Sequence, residues 1–551
     1  MVLKQRPPLL LTAGTAVLLI LGGAAAYLGI NERLFKSTQL PSGMELVPSD
    51  ALLALTLTTD ENQWTRLRQM GSAESQKILD RWLLTWRDRI LSNHGYRYRT
   101  DIEPWIADQV TVAFLPKTDA GEGAADLVLL IPIADPLKAQ ELLSKPKDDV
   151  TWVGRDYKNA TIQSITTANG DTFESTVLAN KWLVVAASVN SVETVIDRFE
   201  GAIPSLLENG AYVAANKTLD MPSGFAQVYV NAPVAAEVFT GSDTLPGING
   251  VAAVVSLLPN GFDIEAASWL GPEDQPVYRD IVNRDAWTPE RLPESTVLMM
   301  STGNIGALWQ SLAGAEGVSA LLPIAPDTLA QGLKQRTGLD FENDILPWLG
   351  EEMTFGLWPP AVNAAAMPMG QLALVAEVTD REAAESTWSE LNEVMTNRFR
   401  FDVESVQSGE QPINQLVSYY GGIAMGHGWL DQDITFFGVG EDVVDAIAPQ
   451  PSQTLQTNPS FQTLLDISPQ ETSGYFFADI ARMQELQGML PFPTLPDAPV
   501  VSAIQSIGVT TSVQNERTLR YDIFVELPKG RRVKPLPGGN VSQNEVENTG
   551  E

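Results

Sequence analysis

The chain states one short phrase twice, and nothing else in it constrains the fold as strongly. Asp101-Ile102-Glu103-Pro104-Trp105 opens a stretch running to Pro116, and Asp344-Ile345-Leu346-Pro347-Trp348 opens one running to Pro359. Both also carry a threonine, Thr111 and Thr354, at the same place. Self-similarity at so long a period means that one design has been built twice, so the architecture is sought as two related units. Other blocks repeat in the same order. Val47-Pro48 through Trp64 matches Leu292-Pro293 through Trp309, and the apolar runs Leu127–Ile133 and Leu372–Val378 are each followed by an Asp, Asp135 or Asp380, that can cap a helix. Trp182–Ala187 and Ile434–Gly438 read as buried strands, each followed by a cap-like residue, Ser191 or Asp442, and a short helix.

Both units finish on a hairpin-like pair. In the first, Val251–Leu258 and Phe262–Ser268 flank Pro259-Asn260-Gly261, and Asn-Gly between apolar runs is a strong hairpin signal. In the second, Ile504–Val513 and Leu519–Leu527 flank a polar turn. Strands and helices mix without regular β-α-β alternation, and neighbouring strands are hairpin-linked, which points to an α+β fold with mainly antiparallel sheets. Ile78, Leu79, Trp82, Leu83, Trp86, Ile90 and Leu91 give residues 61–91 the spacing of an amphipathic helix lying on a sheet.

Between Arg6 and Glu32 the chain has no charge, and Leu9–Ile30 is long enough to span a hydrocarbon core. Lys4 and Arg6 precede it, which places a short N-terminus in the cytoplasm and the body across the membrane. An uncleaved signal anchor is the preferred reading, because the apolar run continues through Tyr27, Leu28 and Ile30. Ala24-Ala25-Ala26 offers the alternative, a signal-peptide cleavage site. The expected organisation is therefore a cytoplasmic terminus (1–8), a transmembrane helix (9–30), a linker (31–46), a first α+β unit (47–270), a linker (271–291), a second α+β unit (292–527) and a disordered tail (528–551).

Charge excludes one large class of partner. The chain of 551 residues has a net charge of −32, and its first 36 residues carry +3 and its last 24 carry +1, so the body between holds −36. Such a field repels phosphate backbones, so no nucleic-acid partner is expected, and it keeps the body soluble and off anionic lipid surfaces. There is no cysteine, which removes disulfides, thiolate catalysis and Fe–S ligation together.

The residues that could carry chemistry give no constellation. His94 and His427, the only histidines, have no metal-ligand neighbour at helical or hairpin spacing and read as loop residues. The acidic doublet Glu351-Glu352 aligns with Asp108-Gln109 and reads as solvent-facing residues before a strand. Asp431-Gln432-Asp433 starts like a calcium loop and then fails at Thr435 and Phe436. Gly438-Val439-Gly440 is a lone strand-to-helix turn, and no nucleotide-binding, hydrolase or zinc signature is present. The repeated motif could present Trp105 and Trp348 as stacking platforms. The better reading is structural: proline biases its predecessor away from helix, and the tryptophan anchors the turn in the core. No catalytic, cofactor-binding or metal residue is assigned.

The N-terminal span, Val47-Pro48-Ser49-Asp50-Ala51, Gln63-Trp64 with Glu74-Ser75-Gln76-Lys77, and the Asp101–Trp105 block together resemble an uncharacterised cyanobacterial family of membrane-anchored proteins, a domain of unknown function. The resemblance covers residues 1–527 and implies an envelope or thylakoid setting, with no reaction, cofactor or catalytic residue. The functional expectation is a non-enzymatic protein held in the bilayer by residues 9–30, whose acidic body faces the periplasm or thylakoid lumen for binding or assembly, with another envelope or thylakoid protein as partner. The alternatives are a lipid or pigment carrier or sensor and, more remotely, a carboxylate-based hydrolase.

Overall fold

The structure, a computed structural model, describes residues 41–91, 96–117, 125–143, 151–166, 172–219, 224–233, 248–273, 278, 281–285, 287–303, 305–306, 309, 326–360, 370–408, 411–418, 424–469, 471–486 and 499–536. They contain twenty strands. In the first half these are β1 (Leu53–Thr58), β2 (Gln109–Pro116), β3 (Ala125–Pro132), β4 (Thr151–Tyr157), β5 (Ala160–Thr166), β6 (Thr172–Leu178), β7 (Trp182–Ala186), β8 (Ala226–Asn231), β9 (Ile248–Leu258) and β10 (Gly261–Leu270). In the second they are β11 (Leu298–Thr302), β12 (Leu349–Trp358), β13 (Gln371–Val378), β14 (Phe401–Ser408), β15 (Gln411–Ser418), β16 (Ala424–Trp429), β17 (Ile434–Val439), β18 (Gly474–Asp479), β19 (Ser506–Asn515) and β20 (Thr518–Glu526).

The first ten run β4-β5-β6-β7-β3-β2-β1-β8-β9-β10 across their sheet. The second ten run β14-β15-β16-β17-β13-β12-β11-β18-β19-β20, the same connectivity strand for strand. All these ladders are antiparallel. The described residues form two compact units, one built from those within 41–260, 264–274 and 529–536, the other from those within 261–263 and 275–528.

The repeated motif explains itself in this frame. In both copies a wide helical turn, Tyr98–Ile102 or Phe341–Ile345, carries the Asp at or near its end. The Asp carboxylate accepts the backbone N–H four residues back: Arg97 N to Asp101 Oδ2 at 2.9 Å, Asp340 N to Asp344 Oδ2 at 2.7 Å. The indole of the Trp donates to the same aspartate's carbonyl, Trp105 Nε1 to Asp101 O at 2.6 Å and Trp348 Nε1 to Asp344 O at 2.7 Å. The Trp carbonyl then receives the chain leaving the third strand, from Ala134 N at 2.8 Å and Thr379 N at 2.9 Å. Trp105 is 2% and Trp348 3% exposed, so both are core anchors with their indole N–H satisfied. The expectation that proline drives its predecessor out of the helical region fails here. Glu103 (φ −49, ψ −36) and Leu346 (φ −55, ψ −35) are both right-handed helical, held by N–H bonds back to Tyr98 and Phe341 that outweigh the local bias.

The α+β expectation with an N-terminal transmembrane helix is corrected. The described chain is mainly antiparallel sheet with some helices, and no helix among the described residues is long and apolar enough to cross a membrane. Residues 1–40, with the expected terminus, span and most of the linker, lie outside the described residues. Apolar alternation is weak in β4–β6 and β14–β16, so the sequence understates the share of strand. In β4 only Trp152 and Tyr157 are even half-buried, so hydrophobic period could not reveal it.

Helix boundaries shift for local reasons. The expected helix 61–91 is two helices, Glu61–Arg68 and Ala73–Ile90, parted at Gly71 (φ +83) with Ser72 capping the second through Ser75 N. The helix after Asp380 runs from Arg381 to Phe399 and stops where Arg400 turns left-handed at φ +62. The tail expected to be disordered is ordered at its start. Gly530 N donates to Gln69 O (2.8 Å), Gln76 Nε2 to Arg531 O (3.2 Å) and Arg68 Nη2 to Lys534 O (2.9 Å); residues 537–551 lie outside the described residues.

Candidate functional site

The sequence names Ser191 only as a helix cap and gives no residue of the Asp126 site a functional role. Its signals were an aspartate inside an apolar strand and a Ser-x-x-Ser at a helix start. Asp126 is the second residue of β3, opposite Leu115 on β2. On the other side of β3 runs β7, paired through Val128 and Ala186. Two residues beyond Ala186 the chain enters helix Val189–Phe199, and its true N-cap is Ser188, where Ser191 was expected. Ser188 Oγ accepts Ser191 N at 3.2 Å, satisfying one of the free N–H groups of the first turn.

Sheet register thus places the Asp126 carboxylate at this helix start. Oδ2 accepts Ser188 Oγ at 2.6 Å and Ser191 Oγ at 3.0 Å, and Oδ1 faces Lys117 Nζ at 3.2 Å. The two hydroxyls also meet each other at 2.9 Å. Burial pushes the Asp126 carboxyl up, but the hydrogen bonds from Ser188, Ser191 and Lys117 together outweigh it and hold the group below the usual carboxylate range. A carboxylate at a helix N-terminus also has the favourable sign for the helix dipole. Around this network opens a cavity of about 580 Å³, walled by Leu115, Pro116 and Ala187 and edged by Asp50, Lys117, Asp126, Ser188, Asn190, Ser191 and Thr194. Two carboxylates, one ammonium and a row of hydroxyl and amide groups converge there. Such a lining suits a small polar molecule bearing a cationic group.

The second unit has the same backbone frame and different side chains at the matching positions. By register Gln371 stands for Asp126, Trp358 for Leu115, Gly440 for Ser188 and Val443 for Ser191. Gly440 has φ +143, and a Cβ there would lie 2.8 Å from Gln371 Cγ. Gln371 is 4% exposed, donates to Pro359 O at 3.4 Å and leaves its own Oε1 without a partner among the described residues.

The residues weighed from sequence lie elsewhere. His94 lies outside the described residues, as does the side chain of Glu351. His427, expected in a loop, is on β16 and 1% exposed; its Nε2 meets Asn392 Oδ1 at 2.7 Å, its ring stacks on Trp388 at 4.8 Å, and Nδ1 has no partner among the described residues. Burial pulls its pKa down to about 4, so the ring is neutral. Glu352, expected to face solvent, is 7% exposed and accepts Thr288 Oγ1 at 2.7 Å, tying the segment before β11 to β12. Burial raises its pKa above the usual range. Asp431 belongs to the loop after β16, where it accepts Gln432 N at 2.8 Å. Among the described residues no three His, Asp or Glu side chains gather as a metal site.

No curated protein matches the chain. Solved structures of TP0453 share 14% identity over 43% of this chain and 83% of theirs (crystal form III, TM-score 0.22) and 12% over 43% and 82% (crystal form I, TM-score 0.24). The family model described as "Protein of unknown function (DUF3352)" matches residues 11–527, nearly the whole duplicated body. The chain therefore belongs to the DUF3352 family of proteins of unknown function.

Proposed function

We propose that the protein is a non-enzymatic binding protein in which a duplicated scaffold supports one ligand site, the Asp126 cavity of the first unit. The observation that carries this reading is the divergence of two copies of one frame. Where the first unit has Asp126, Ser188, Ser191 and Lys117 around open space, the second has Gln371, Gly440, Val443 and Pro360. Asp126 accepts from Ser188, Ser191 and Lys117 and is held ionised. That arrangement supports recognition of a cationic polar group over proton transfer, because a carboxylate held below its ordinary pKa is a weak base. The polar edge speaks against a lipid or pigment as occupant. The occupant is a small amine, or a lysine or amino-terminal segment of a partner in an assembly.

The chain has no cysteine, so a Thr194→Cys variant places its single thiol at the cavity edge. Amino acids, amino sugars, polyamines and short lysine peptides should slow maleimide labelling of that thiol, and Asp50→Asn should weaken the protection severalfold. Labelling that no amine slows would overturn the site.

A further inference from the structure

We infer that the helix Ala73–Ile90 and the returning C-terminal segment together form a docking face for an anionic lipid surface, a role separate from the Asp126 cavity. The segment after Pro528 carries Lys529, Arg531, Arg532 and Lys534 with no acidic residue up to Leu536, and all four side chains are exposed. Its attachment to the first unit uses other atoms. Gly530 N bonds Gln69 O, Gln76 Nε2 bonds Arg531 O, and Arg68, itself paired with Asp80 at 2.6 Å, bonds Lys534 O. At Gly530 a Cβ would sit 2.0 Å from Gln76 Nε2 and 2.7 Å from Gln69 O, so only glycine lets the chain lie this close to the helices. The cations are thereby held in place while their charged ends stay in water.

The helix beneath continues that surface. At about 100° per residue Gln76 and Asp80, which meet the returning segment directly or through Arg68, lie beside an exposed row of Lys77, Arg81 and Thr85. The next row is Ile78, Trp82 and Trp86, with Trp82 and Trp86 stacked at 6.2 Å and Trp86 36% exposed. The acidic side chains exposed on this helix are Glu74 and Asp88, the latter paired with Arg87 at 2.7 Å. Basic side chains flanking half-exposed indoles are the composition of an interfacial helix, in which cations meet lipid phosphates and the rings enter the headgroup layer.

The contrast with the rest of the chain selects the partner. A protein of net charge −32 concentrates four cations into six consecutive positions and fixes them against a helix whose basic Lys77–Arg81 row lies between them and the indole row. Beyond a Debye length of about 8 Å at physiological salt the body's field is screened, so on contact the approaching surface feels this face and little else. Nucleic acid would use the cations and leave the indole row without a purpose on duplex phosphate; a bilayer uses both.

The test is sedimentation of the full chain with phosphatidylcholine vesicles and with vesicles containing phosphatidylglycerol. Stronger binding to the anionic vesicles, reversed by high salt, is expected; the uncharged stretch 9–30 meets both vesicle types alike and drops out of the comparison. A Lys529→Gln, Arg531→Gln, Arg532→Gln, Lys534→Gln variant alters only exposed side chains and should lower the anionic preference by about tenfold or more. Trp86→Ser should weaken binding to both vesicle types while leaving the melting temperature within a few degrees. Equal binding to both vesicle types, no binding, or binding unchanged in the charge variant would overturn the inference. So would duplex DNA retention that falls in the charge variant while vesicle binding does not.

Discussion

The two units share a strand order and part company in what they place on it. At one position the first unit has Asp126, held by Ser188 and Ser191 beside a cavity, and the second has Gln371 under Gly440 with an unsatisfied oxygen. At another the relation reverses. Register pairs His427 with Ser175 and Trp388 with Leu143, and there the second unit has a dense aromatic group, with Trp388 against Trp348 at 5.8 Å, His427 at 4.8 Å and Phe437 at 6.2 Å. The helix after Asp380 makes this possible, because Trp388 and Asn392 lie on its middle turns, and the helix after Asp135 is described only as far as Leu143. One copy has used the frame to keep polar space open at the first position, the other to pack rings at the second.

The sharpest way to break this comparison is at the tryptophans the copies share. Trp105→Ala and Trp348→Ala each remove a fully buried indole, a change that costs about 3–5 kcal/mol. Trp348 has more to lose. Its Nε1 also meets Thr387 Oγ1 at 3.1 Å, and Trp388 packs on its ring. Urea unfolding should show the larger loss for Trp348→Ala. Equal losses would mean that the aromatic group adds nothing beyond the shared anchor.

The next effect belongs to the second unit alone and is read through pH. His427 is neutral in the fold with a pKa near 4, against 6.5 for the free side chain. A depressed histidine pKa means that the unfolded chain binds the proton first. The contribution is therefore fully present above about pH 6.5 and is lost as pH falls towards 4, on the order of 3 kcal/mol over that window. Buried Glu352 titrates the other way, since its raised pKa favours the fold as pH falls. The difference between wild type and His427→Phe isolates the histidine, and this difference should grow as pH drops from 6.5 to 4. A pH-independent difference would show that the ring is not held neutral.

How much of this was legible follows from particular residues. The duplication was plain because Asp, Pro and Trp each make a backbone bond or fill a core position that no other residue type replaces. The ten-strand order was hidden, since β4, β5, β14 and β15 are half-exposed pairs without apolar period. Asp126 stands just ahead of the apolar run Leu127–Ile133 and carries no signal there, because its partners Ser188, Ser191 and Lys117 reach it only through the β2–β3–β7 ladders. The glycines that flank His427 suggest a loop. In the fold those glycines let neighbours approach the strand, with a Cβ at Gly426 falling 2.3 Å from Val444 and one at Gly428 3.0 Å from Ile413.

The smallest expected effect is also the most direct reading of how far the copies have diverged. Thr111 and Thr354 are the same residue at the same register, both 0% exposed. Thr111 Oγ1 meets Thr56 Oγ1 at 2.6 Å and donates to Ser42 O at 2.6 Å. In the second unit Ser301 replaces Thr56 and turns its Oγ to Tyr475 N at 3.1 Å, leaving Thr354 Oγ1 without a partner among the described residues. Thr→Val keeps shape and removes the hydroxyl. At Thr111 it strips partners from a buried network and should cost about 1–2 kcal/mol, whereas at Thr354 it removes an unpaired polar atom and should be neutral or slightly stabilising. Chemical denaturation of the two single variants decides it. If Thr354→Val costs as much as Thr111→Val, that hydroxyl has a partner in solution and the two units are more alike than their side chains indicate.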